Sequence, residues 1–280
     1  MLSYRHAYHA GNHADVLKHV TLTLLFKALL LKEKPVCYLD THAGAGRYAL
    51  DSEKARKNRE YETGIARLWQ RTDLPAGVSD YVEAVRAFNV DGVLRIYPGS
   101  PRLVRHWLRP ADRMLLCELH TKENAVLGDE FKGDRQVLVK AMDGYQALKA
   151  LLPPKERRGL VLIDPAFELK DERNRLLQAL QEAWKRWPTG TYAIWYPIQD
   201  LATLDWFHRQ LKRSGIRKML AAELRLFSED LPLRMNGSSM VVINPPWHLE
   251  EQLTALGPWL HGALASGGEG GFRLQWLAGE

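Results

Sequence analysis

The chain has 280 residues, 46% of them hydrophobic and 26% charged, the composition of an ordinary globular protein with one sizeable core rather than a disordered or fibrous chain. With 39 Lys and Arg against 33 Asp and Glu the net charge is +6, which suits a polyanionic partner without requiring one. The first residues carry no apolar signal core, and the most apolar stretch, 20–31, is short and broken by Thr21, Thr23 and Lys27, which excludes a membrane segment.

That stretch predicts a helix packed on the core. Strand-like runs follow over 36–40, 115–119, 137–140, 160–164, 192–196, 217–227 and 240–244. Helical patterns lie between them, as over 170–187, where Leu176, Leu177, Leu180 and Ala183 recur at helical spacing, and over 201–212. The alternation predicts a seven-stranded, mostly parallel α/β sheet covered by helices. The polar, aromatic-bearing segment 50–90 separates the first strand and turn from the second strand and reads as an inserted helical subdomain of a single 1–280 domain. The last two strands join across a polar loop, 228–239, without a helix, and predict an antiparallel hairpin closing the sheet edge. A low-complexity patch at 267–271 follows. Cys37 and Cys117 each sit in a strand-like run and read as reduced packing residues of a reducing, cytoplasmic compartment.

The turn after the first strand, Thr41-His42-Ala43-Gly44-Ala45-Gly46, lets a ligand lie against backbone at a helix start. Gly44 to Ala49 also fits the G-x-G-x-x-A form of a dinucleotide site, but the acids some 20 residues on, Glu60 and Glu62, fall in the insertion and not at a strand end. S-adenosylmethionine suits the turn better. Asp40 can meet its cationic end, Glu118 its ribose hydroxyls, and Asp143-Gly144 its adenine amine, each carboxylate falling at the end of a successive strand. Solvated strand-end carboxylates are the plain structural alternative. The architecture is that of a Rossmann-like S-adenosylmethionine-dependent methyltransferase, although a fold by itself fixes no function.

Two proline segments compete as the substrate pocket: Asp164-Pro165-Ala166-Phe167 and Asn244-Pro245-Pro246-Trp247. The second is the better literal match to the pattern of amino-group methylation sites. Chain order favours the first, because the fourth strand adjoins the first across the topological switch point. The second then reads as a turn with a packed indole. An adenine amine is a weak nucleophile, its lone pair delocalised into the ring. Two acceptors aimed at its hydrogens, the Asp164 carboxylate and the Pro165 carbonyl, favour the pyramidal nitrogen, and Phe167 can stack on the extruded base.

The N-terminal run from Tyr4 to His19 holds four histidines, His6, His9, His13 and His19, without the spacing of a zinc motif, so no metal is expected. That run, together with 39–48, 97–101 and Ile243-Asn244-Pro245-Pro246-Trp247, resembles the ribosomal RNA large subunit methyltransferase J family end to end. The resemblance implies N6-methylation of one adenosine in 23S ribosomal RNA, in free or incompletely assembled RNA, by a monomer that needs no metal. It also implies that His19, His42, Ser100, Glu118, Asp143, Gly144 and Asp164 contact S-adenosylmethionine, that Asp164 accepts the proton, and that Tyr4 touches the RNA. The family carries Asp-Pro-Pro-Tyr where this chain has Asp164-Pro165-Ala166-Phe167, which frees one backbone dihedral and removes one hydroxyl. A DNA adenine methyltransferase, and a nucleic-acid-binding DNA-utilisation protein with reduced catalysis, are the alternative readings.

Overall fold

The short apolar runs become strands of one sheet. In chain order the computed structural model, which describes residues 4–228, 235–265, 267 and 269–279, contains α1 (His13–Leu30), β1 (Cys37–Asp40), β2 (Arg47–Ala49), α2 (Glu53–Asn58), α3 (Ala66–Trp69), α4 (Ala76–Arg86), β3 (Ile96–Pro98), α5 (Ser100–Trp107), β4 (Arg113–Cys117), α6 (Thr121–Glu130), β5 (Val137–Lys140), α7 (Gly144–Leu151), β6 (Gly159–Ile163), α8 (Glu172–Arg186), β7 (Thr191–Ile198), α9 (Leu201–Arg213), β8 (Met219–Arg225), β9 (Gly237–Ile243), α10 (Leu249–Leu264) and β10 (Gly271–Ala278). The main sheet has eight strands in the order β10-β8-β9-β7-β6-β1-β4-β5, and β2 pairs with β3 in a separate two-stranded ribbon.

From β5 to β7 the strands are parallel; β9 then runs antiparallel to β7, β8 to β9 and β10 to β8. Alternate residues of each strand serve opposite faces, as the two-residue period of a strand requires. Tyr38, Met114, Leu116, Leu160 and Leu162 join one core with α1, α4, α5 and α10. Leu39, Leu115, Cys117, Val161, Ile163 and Ile194 join the other with α7, α8 and α9. Both cysteines are buried and unpaired, and burial pushes their thiols up to about 12.

Two expectations need correction. The sheet has eight strands rather than seven, because 271–278 pairs along β8; the hairpin β8–β9 is internal and β10 takes the edge. The signal was present in the alternation of Phe272, Leu274 and Trp276 with Arg273 and Gln275. Helix α1 begins at His13 and not at residue 20. Asn12 caps it by accepting from the Asp15 backbone N–H at 3.0 Å, and every residue from His13 to Phe26 is buried, polar ones included. Part of the polar loop 228–239 lies outside the described residues.

Candidate active site

Strand β1 lies between β4 and β6, so the chain reverses its direction of travel across the sheet there, and loops leaving β1 and β6 diverge from a common crevice. Gly44 shapes the first loop. Its φ is +61°, and a Cβ there would come within 2.2 Å of the Tyr48 hydroxyl. The Gly99 backbone N–H donates to the Gly46 carbonyl at 2.9 Å, so the segment 97–101 docks on the turn. The Glu118 carboxylate closes this loop, accepting from the backbone N–H of Gly44 at 2.9 Å and of His120 at 2.7 Å. Burial raises its pKa. A carboxylate has about four acceptor positions, so two remain for ligand hydroxyls.

Asp40 is fully buried and already occupied. Its Oδ2 accepts from the hydroxyls of Tyr38 and Ser100, each at 2.7 Å, and burial pushes its pKa up to about 6. Ser100 thus ties α5 to β1 through Asp40. Asp143 caps α7, accepting at Oδ1 from the backbone N–H of Tyr145 (2.9 Å) and Gln146 (3.1 Å), while Arg175 lies 3.3 Å from Oδ2. Gly144 permits α7 to reach β1: a Cβ there would stand 2.3 Å from the Thr41 carbonyl oxygen and 2.9 Å from His42 Cε1.

Burial holds two histidines, His42 and His19, neutral. The Thr41 hydroxyl donates to the Leu162 carbonyl at 3.0 Å, so its 2.8 Å bond to His42 Nδ1 places the proton on that nitrogen and leaves Nε2 a lone pair. Burial lowers the His42 pKa to about 4. His19 Nδ1 lies 2.6 Å from the Tyr97 hydroxyl, and burial lowers its pKa to about 3. His19 Nε2 is buried and has no partner among the described residues, the kind of orphan that a polar ligand satisfies. Neutral nitrogens, a half-engaged carboxylate and a glycine turn fit an uncharged ribose and adenine better than a pyrophosphate, which would need cations. Glu60, the acid a dinucleotide reading would use, instead accepts from His9 Nδ1 at 2.8 Å and Asn12 Nδ2 at 2.9 Å, binding the N-terminal segment to the insertion.

The Asp164 carboxylate stands directly beyond β6, next to β1, and its charge acts on both Asp40 and His42. Its Oδ2 is held by Lys18 Nζ at 2.5 Å, and Oδ1 has no partner among the described residues. Lys18 also meets Asp15 Oδ1 at 2.7 Å; Asp15 Oδ2 meets His6 Nε2 at 2.8 Å, and His6 Nδ1 meets the Tyr4 hydroxyl at 2.9 Å. Burial opposes the Lys18 charge, but the two carboxylates outweigh it and hold the ammonium well above the usual lysine range. Phe167 has φ +51°; its ring meets Trp195 edge-on at 6.0 Å, and the Arg173 guanidinium lies 5.4 Å from its centroid.

Sequence reasoning named Asp164, Glu118, His19, His42 and Tyr4 but missed the roles of Lys18, Asp15 and His6 in joining Tyr4 to Asp164. The signal was an i, i+3 Asp15/Lys18 pair at the head of a helix that is otherwise apolar further on. His6 pairs with Asp15 and Tyr4, His9 with Glu60 and His19 with Tyr97, while the His13 ring meets Phe227 edge-on, and among the described residues no group of three or more His, Cys, Asp or Glu is arranged to hold a metal ion. The arginines at 102–113 are all neutralised: Arg102 by Glu130, Arg105 by Asp134, Arg109 by Asp112 and Arg113 by Glu156. Among the described residues no helix is long and apolar enough to cross a membrane.

The two proline segments lie at opposite ends of the strands. Because β9 is antiparallel to β7, Ile243 pairs with Tyr192 at the start of β7, and Asn244 Nδ2 donates to the carbonyls of Pro188 (2.8 Å) and Gly190 (2.7 Å). Asn244–Trp247 is therefore a structural turn remote from Asp164. Its indole is not packed as expected, since Trp247 is 85% exposed.

A family model described as ribosomal RNA large subunit methyltransferase D, RlmJ, matches residues 33–278. Over the full length of both chains the sequence is 47% identical to ribosomal RNA large subunit methyltransferase J of Escherichia coli (strain K12) and 48% identical to that of Haemophilus influenzae. A crystal structure of a Legionella pneumophila protein, 35% identical, superposes with a TM-score of 0.89 over 96% of this chain and 98% of that one.

Proposed function

The chain belongs to the ribosomal RNA large subunit methyltransferase J family, and from that premise we propose that it methylates the N6 amine of one adenosine in 23S ribosomal RNA, with Asp164 at the centre of the site. S-adenosylmethionine supplies the methyl group. His19, His42, Ser100, Glu118, Asp143, Gly144 and Asp164 line its crevice; the geometry supports Glu118, His19 and His42 as direct contacts, and Ser100 and Asp143 as groups that brace Asp40 and α7. The observation that carries the reading is an Asp164 fixed at one oxygen by Lys18 and open at the other, at the switch point of the sheet.

Asp164 Oδ1 and the Pro165 carbonyl accept the two amine hydrogens and favour a pyramidal nitrogen. Phe167 offers a ring for the extruded base, braced by Trp195. Lys18 holds Asp164 Oδ2 and leaves Oδ1 for the amine. Asp164 then takes the surplus proton, and the chain through Lys18, Asp15 and His6 connects it to the half-buried Tyr4, which faces the RNA. The helices over 53–86 serve as an inserted subdomain buttressing α1. The substrate is protein-free or early-assembly RNA, which places the activity in the cytoplasm, and one subunit suffices. The relatives' names favour RNA over the DNA alternative.

The test is transfer of labelled methyl from S-adenosylmethionine to protein-free 23S RNA, beside duplex DNA and an Asp164→Ala control, with nucleoside analysis. N6-methyladenosine in the RNA, reduced at least about a thousandfold in the control, is expected. A product confined to DNA, or one insensitive to Asp164, would sink the reading.

A further inference from the structure

Beyond Phe167 a cavity of about 360 Å³ opens between the first turns of α8 and α9, lined by Lys170, Arg173, Asn174, Ala202, Thr203 and Trp206. Helices α8 and α9 follow the neighbouring strands β6 and β7, and Arg173 spans the gap, its guanidinium over the Phe167 ring and its Nη2 donating to Gln199 Oε1 at 3.0 Å. Its lining is cationic. Among the described residues Lys170 makes no ion pair and Arg173 pairs with no carboxylate. The acid whose charge acts on Arg173, Asp200, has both oxygens occupied at the start of α9, by the Thr203 backbone N–H (2.7 Å) and hydroxyl (2.8 Å). Thr203 and Asn174 add neutral polar groups, and Trp206 adds an aromatic face. Where the 102–113 arginines are all paired, Arg209, Lys212 and Arg213 further along α9 form no ion pair among the described residues.

We propose that this cavity is a second nucleotide subsite, holding the RNA residue next to the extruded adenosine, its base on Trp206 and its phosphate on Lys170 and Arg173. The proposal rests on the functional reading above. Extruding one base swings the adjoining backbone towards the pocket mouth, where a lysine, a guanidinium in no direct ion pair and an aromatic ring form the combination that binds single-stranded nucleic acid without reading sequence. The volume lies within the range of a small-ligand site. Arg173, shared between Phe167 and the cavity, then couples occupancy of the flanking subsite to the posture of the base clamp.

The experiment measures kcat and KM for protein-free 23S RNA across a salt series, with Lys170→Gln, Trp206→Leu and the conservative Trp206→Phe, each checked for an unchanged melting transition. Trp206→Leu raises the RNA KM about tenfold, and Trp206→Phe restores most of it. Lys170→Gln lowers the slope of log KM against log salt by about one. In all three kcat and the KM for S-adenosylmethionine stay within about twofold, the split expected of lost ground-state binding. A wild type active on RNA whose KM and salt slope are unmoved by these changes would overturn the subsite alone. A wild type that transfers no methyl to RNA would overturn the functional reading and the subsite with it.

Discussion

Asp164-Pro165 and Asn244-Pro245 each end a fully buried strand, yet one closes the ligand crevice and the other closes a turn at the opposite end of the strands. The difference is strand direction. β6 is parallel to β1, so Asp164 arrives beside the glycine turn; β9 runs the opposite way and delivers Asn244 to the start of β7. Their side chains are spent accordingly. Asp164 keeps an oxygen open, whereas Asn244, at φ +53°, has its amide committed to two carbonyls. A motif's letters therefore carried less information than the direction of the strand before it.

The contrast can be broken hardest at Lys18. Lys18→Met leaves Asp164 and Asp15 without their shared cation; kcat is expected to fall about a hundredfold and stability by about 3 kcal/mol, read by single-turnover transfer and urea unfolding. Unchanged kcat would mean that the ion pair is structural only.

Acid tests the same edge as a whole. Burial holds His13 and His42 near pKa 4, His19 near 3 and, on α9, His208 near 4, against about 6.5 in an unfolded chain. The unfolded chain takes up protons that the folded one refuses, so their cost is absent above about pH 6.5 and grows as the pH falls towards 4. Asp40, raised to about 6, has the opposite sign: it is protonated in the folded protein first and returns stability as the pH falls through that window. The balance is an uptake of roughly two to three protons on unfolding near pH 5, measurable from the pH dependence of the unfolding free energy. A flat profile between pH 6.5 and 4.5 would contradict the burial of these imidazoles.

The smallest effects belong to the opposite end of the strands. Asn244→Ala loses two hydrogen bonds and puts a non-glycine side chain with no such partners at positive φ, a cost of about 1–3 kcal/mol, with methyl transfer per folded molecule unchanged. Trp247→Ala, at an 85% exposed position, shifts stability by no more than about 0.5 kcal/mol. Loss of transfer in Asn244→Ala would bring the second proline segment back as a candidate pocket.

The α/β class, the parallel half of the sheet, the glycine turn and the carboxylates at successive strand ends are legible in the chain before it folds, because these rest on local periodicity and on residues next to one another in the chain. Chain order even placed Asp164 beside the first strand. What those groups touch is set by the fold. Asp40 and Ser100 are 60 positions apart, Glu118 and Gly44 74 apart, and Lys18 and Asp164 146 apart. The same limit hid the pairing of the 102–113 arginines and the burial of the polar head of α1. Whether a charge is open, capped or neutralised depends on partners that the fold brings from distant segments, and no window of sequence contains them.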